Sequence, residues 1–104
     1  MPSSLPFEER VRFSEIERLT AALARDPQSK VFLPLAEEYG KVGLWQEAAA
    51  VLEAGLQVLL GFVTAMVTLG GAYVHLGQTA KARTLLEDAV RRRPDNLGAH
   101  RTLA

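Results

Sequence analysis

The chain matches itself at an offset of 34 residues, and this regularity constrains its fold more than any other feature. Identical pairs are Leu35 and Leu69, Tyr39 and Tyr73, Gly43 and Gly77, Ala48 and Ala82, Leu52 and Leu86, and Glu53 and Glu87. Similar residues fill the gaps: Phe32 with Met66, Ala36 with Gly70, Val42 with Leu76, Val51 with Leu85, Gly55 with Ala89, Leu56 with Val90. A third copy opens and stops, with Met66 mapping to His100, Leu69 to Leu103 and Gly70 to Ala104. A unit of this length cannot bury its apolar face alone, so it stacks on its neighbours.

Each unit reads as two helices and a turn. Phe32, Leu35, Ala36 and Tyr39 recur at helical spacing in Val31–Val42 and form one face. Gly43 supplies the left-handed residue that ends this first helix. From Trp45 to Leu59 a second helix turns Ala48, Val51, Leu52, Gly55 and Leu56 inward. Small residues at Ala36, Gly70, Ala48 and Ala82 let paired helices approach, where large side chains would overpack the contact. Pro34 is tolerated if its helix begins near Phe32, which leaves it in the first turn. Ahead of the repeats, Ser14 and Glu17 form a capping box, and Ile16, Leu19, Ala22 and Leu23 an apolar face. That helix stops at Asp26-Pro27 and caps the stack.

The repeat resembles the tetratricopeptide repeat family. The two copies carry its pattern as Phe32, Leu35, Ala36, Tyr39, Ala48, Leu52 and as Met66, Leu69, Gly70, Tyr73, Ala82, Leu86, Pro94. The resemblance implies an all-α fold of about two and a half stacked antiparallel helix pairs in a right-handed superhelix. It divides the chain into a capping segment at 1–28, repeat 1 at 29–62, repeat 2 at 63–96 and the start of a third at 97–104. It also implies a concave groove lined by first helices. The groove positions are Lys30, Leu33, Glu37, Gly40 and Lys41 in repeat 1, and Thr64, Val67, Gly71, Val74 and His75 in repeat 2, with Arg101 in the third. Thr68 joins the uncharged wall of repeat 2. Members that bind chaperone tails clamp a carboxylate with Lys and Asn at positions where this chain has Leu33 and Glu37, so that clamp is missing.

Charge is unevenly spread. Six basic and nine acidic side chains lie in residues 1–53, six and three in residues 54–104, and none from Ala54 to Ala80. The uncharged stretch is long enough to span a bilayer. The four glycines of residues 54–76, with Gln57, Thr64 and Thr68, instead mark it as the middle of the stack, and we expect no membrane span. Repeat 2 is entered through Leu60-Gly61, where the family pattern expects proline at Leu60. Two outcomes are open there: a tight turn, or a continuous helix from about Gln46 to Leu76 that separates the halves and gives a domain-swapped dimer.

Catalytic groups, cofactors and metal sites are not expected. The chain has no cysteine, and its two histidines, His75 and His100, share no ligand spacing. His75 sits near a helix end, where a cation meets the dipole favourably, and His100 takes an apolar position of the repeat. Gly70-Gly71 lies mid-helix and makes close contact rather than a phosphate loop. Arg91-Arg92-Arg93 complements a helix terminus, and with zero net charge no nucleic-acid partner is expected. The N-terminus lacks the apolar run of a secretory signal, so a cytoplasmic location is expected. The functional expectation is a non-catalytic interaction module or scaffold for a protein or peptide, open to homo-oligomerisation through the apolar joint near Leu60. The alternative is a regulatory or substrate-presenting domain of a larger enzyme or secretion complex.

Overall fold

A computed structural model describes residues 6–92. Five helices follow one another: α1 (Phe7–Arg25), α2 (Phe32–Lys41), α3 (Trp45–Val58), α4 (Val63–His75) and α5 (Thr79–Arg92). Each packs on the next, and α2 also meets α4. Short turns between packed neighbours make the pairs antiparallel. Pro94, His100, Arg101 and the opening of the third unit lie outside the described residues.

The turns explain the chain's glycines. After α2, the Leu44 amide donates to the Tyr39 carbonyl at 2.9 Å and the Gly43 amide to Gly40 at 3.0 Å, with Gly43 at φ +81°. After α4 the same pair recurs: Gln78 to Tyr73 at 2.8 Å and Gly77 to Val74 at 3.0 Å, with Gly77 at φ +76°. Both glycines close the helix end by satisfying its last carbonyls. At the joint, α3 ends at Val58 and Gly61 takes φ +75°, so the tight turn forms and the continuous helix does not. Phe62 helps to hold this turn. Its ring meets Phe32 edge-on, 6.0 Å between centroids, which anchors the entry to α4 in the core.

α2 begins at Phe32 with Pro34 in its first turn, where the missing amide had no intrahelical partner to lose. The Ser14 capping box does not form: α1 starts eight residues earlier, with Pro6 at its N-cap and Ser14 inside the helix. Glu8 and Glu9 in the first turn favour the early start, since carboxylates there complement the helix dipole. The sequence hid it because Phe7 and Val11 are exposed and break the inward apolar pattern.

The main core runs through α2 to α5 and includes Phe32, Ala36, Ala48, Leu52, Leu69, Tyr73 and Leu86. Small residues set the helix spacing. A Cβ on Gly70 would lie 2.8 Å from Leu86, and one on Gly55 would run into the Phe32 ring. α1 covers the other side of α2, packing Ile16 and Leu19 against Leu35 with Tyr39 and Val51 alongside. Among the described residues no helix is long and apolar enough to cross a membrane.

Candidate functional site

Between α2 and α4, above the first half of α3, lies a cavity of about 300 Å³. Ala36, Ala48, Leu52 and Ala72 give it an apolar floor, and these four are buried. Alanines at these positions fix the helix spacing but leave the space above them unfilled. Glu37, Gly40 and Lys41 of α2, Thr68 of α4 and Trp45 of α3 complete the lining.

Trp45 is placed by two neighbours. A Cβ on Gly40 would lie 2.8 Å from the indole, so the bare glycine makes room for the ring. His75 lies parallel to the indole, 3.8 Å between centroids with planes 5° apart. This stack joins the start of α3 to the end of α4.

The charged side chains at the groove differ in how they are engaged. Lys41 donates to Glu38 at 2.9 Å. Lys30 holds its ammonium 5.0 Å from the centre of the Phe62 ring. Glu37 is exposed and, among the described residues, has neither a hydrogen bond nor an ion pair.

Of the groove residues read from the sequence, the structure brings Glu37, Lys41, Gly40 and Thr68 to the cavity. His75 reaches it only through the Trp45 stack. Leu33 and Val67 are half-buried and pack on the core. Thr64 is exposed, and its carbonyl accepts the Thr68 hydroxyl at 2.9 Å. Among the described residues nothing lies within 4 Å of a Cβ on Gly71, so there the close contact expected of Gly70-Gly71 belongs to Gly70 alone. Val74 is 52% exposed further along α4.

Sequence reading missed Trp45 as part of the site. The available signal was a paired exchange between the repeats: Gly40 and Trp45 in the first stand where Val74 and Thr79 stand in the second. An added indole beside a lost side chain marks a ring lying over a bare helix.

Elsewhere the polar chemistry is structural. The Tyr73 hydroxyl donates to Glu53 across α3 and α4, and Lys81 stands 4.7 Å from the centre of the Tyr73 ring. Burial, reinforced by the Glu53 carboxylate, pushes the Tyr73 phenol up to about 12, so it stays protonated and holds the helices together. Arg91 and Arg92 both reach Asp88, at 3.7 and 3.3 Å. Among the described residues no three His, Asp or Glu side chains gather as a metal site.

Comparison with known proteins agrees with this fold. A family model described as tetratricopeptide repeat matches residues 41–104. None of the curated proteins compared matches the chain. Among solved structures the chain is similar to the first TPR of Spaghetti (RPAP3) bound to HSP90 peptide SRMEEVD. The TM-score is 0.84 with 18% identity, over 93% of this chain and 78% of that one. At that identity the likeness is one of fold.

Proposed function

Because the chain belongs to the tetratricopeptide repeat family, we propose that it acts as a non-catalytic protein–protein interaction module, holding a peptide or partner helix in the groove between α2 and α4. The observation that carries this reading is the preformed cavity over Ala36, Ala48 and Ala72. An apolar recess with a few polar groups at its mouth is the usual form of a recognition site. The similar fold that was solved with a peptide supports the same class of partner. In this reading one partner side chain enters the cavity beside Glu37, Lys41 and Thr68. The partner backbone then runs past Lys30, Leu33, Thr64, Val67, Gly71 and Val74 towards His75. We place this activity in the cytoplasm.

Peptide-display selection on the full chain tests the groove. Selected peptides should bind the native chain and lose at least tenfold in affinity when Thr68→Trp fills the cavity, because an anchor worth about 1.4 kcal/mol is then excluded. Peptides indifferent to Thr68→Trp would place recognition elsewhere.

Self-association through the joint is a second reading, favoured by the exposure of Leu60 (81%) and Val58 (46%) beside the turn. Exposed apolar groups grouped together mark contact surfaces. Light scattering on concentrated protein should then show a dimer that Leu60→Asp returns to monomer. A native chain that is monomeric at high concentration excludes this reading.

A further inference from the structure

Resting on the groove reading above, we infer that the groove selects a peptide in which a bulky apolar side chain stands next to an arginine or lysine. The apolar half of this preference comes from the floor. Ala36, Ala48, Leu52 and Ala72 offer no polar side-chain atom, so a polar side chain entering there would give up water without a partner. At about 300 Å³ the recess lies at the small end of ligand sites and suits a single anchoring side chain.

The cationic half comes from which charges at the mouth are free. Two lysines border the groove, and both already have a neighbour that answers their charge. Lys41 is bridged to Glu38 at 2.9 Å, and Lys30 lies over the Phe62 ring. Glu37 lines the cavity and has no such neighbour among the described residues. The opposite wall adds no formal charge, since α4 from Val63 to Val74 contains no Asp, Glu, Lys or Arg. An arriving cation therefore gains a new pair with Glu37. An arriving anion meets that carboxylate and must compete with Glu38 for Lys41. Neighbouring residues of an extended peptide are about 3.5 Å apart along the chain, so a long basic side chain beside the anchor can reach the cavity rim.

The test uses the full chain and three short peptides with acetylated and amidated ends. One has a central leucine between two arginines, the second the leucine between two glutamates, and the third an alanine between two arginines. Calorimetry gives affinity, and the fluorescence of Trp45, the chain's one tryptophan, reports occupancy of the cavity. The leucine–arginine peptide should bind about fivefold tighter than the leucine–glutamate peptide, in line with one exposed ion pair gained and one repulsion avoided. Added salt should narrow that gap. Glu37→Lys, at an exposed position, should invert the order while the circular dichroism stays unchanged. Glutamate peptides that bind as tightly as arginine peptides overturn the charge preference and leave the groove standing. An alanine peptide equal to its leucine counterpart overturns the apolar anchor. Silence from all three peptides, in both heat and Trp45 emission, overturns this inference together with the groove reading on which it rests.

Discussion

Gly70 and Gly71 are neighbours in α4 with opposite reasons to be small. Gly70 faces Leu86, which a Cβ would approach to 2.8 Å, whereas among the described residues nothing lies within 4 Å of a Cβ on Gly71. Glycine in a helix costs about 1 kcal/mol relative to alanine unless packing demands it. Gly71→Ala should therefore raise stability by about 0.5–1 kcal/mol in chemical denaturation. Gly55→Ala should lower it by about 1–3 kcal/mol despite the same helix gain, because the buried Phe32 ring has nowhere to retreat. A neutral Gly55→Ala would mean that the α2–α3 pair can open without cost. Tyr73 makes a second residue-scale prediction. Its phenol titrates near 10 when unfolded and at about 12 when folded. The folded state holds the proton more tightly, so the stabilisation is fully present below pH 10 and lost as pH rises from about 10 to 12. Denaturation midpoints measured across that range should fall for the native chain, and Tyr73→Phe should lessen the fall. An equal fall in both would assign the alkaline loss to other groups.

At the scale of elements, the joint between α3 and α4 is the informative one. Leu60 is 81% exposed, its amide makes no backbone hydrogen bond among the described residues, and Leu59 before it has φ −109° and ψ 74°, outside the helical region. Proline at position 60 loses no hydrogen bond and restricts the unfolded chain. Leu60→Pro should stabilise by about 0.4–1 kcal/mol. Gly61→Ala should destabilise by about 1–2 kcal/mol, since φ +75° is costly for any residue with a Cβ. Thermal unfolding of both variants checks the pair, and a destabilised Leu60→Pro would show that the turn cannot accept the ring. This joint also shows what sequence can carry. Gly43 and Gly77 were legible because the repeat states each turn twice, and the inward faces of α2 and α3 followed from helical spacing. Gly61 alone left two outcomes open, because one glycine is too weak a signal to separate a turn from a flexible helix. The burial of Phe62 against Phe32, a contact across 30 positions, helps to hold the turn. The true start of α1 was hidden for a related reason: Ser14 and Glu17 offer a local capping pair, whereas the helix begins after Pro6 with Glu8 and Glu9 in its first turn. In the groove, Glu37, Lys41 and Thr68, each visible in the sequence as a repeat position, line one cavity. The Trp45–His75 stack was not visible there, since it depends on how two units are stacked rather than on either one.

At the scale of the whole molecule, the helices form an elongated body of 46 × 28 × 20 Å. Its radius of gyration is 14.5 Å, against about 13 Å for a compact domain of 100 residues. Such a shape limits how far stabilisation spreads, because each helix touches mainly the next. The core is accordingly divided. One cluster is continuous from α2 to α5, while Ile16 and Leu19 of α1 meet Leu35 in a cluster of their own. α1 should then open as a separate unit, ahead of the rest, in native-state hydrogen exchange. Ile16→Ala isolates the effect. Removing a buried isoleucine side chain costs about 2–5 kcal/mol where the site cannot collapse. Here the loss should appear in the protection of α1 amides and, more weakly, in α2 where Leu35 loses its cover. Amides of α4 around Leu69 and Ala72, which rest on the continuous core, should keep their protection. If α4 amides lose as much as those of α1, the two clusters fold as one block, and α1 is a full member of the core rather than a cover laid on its end.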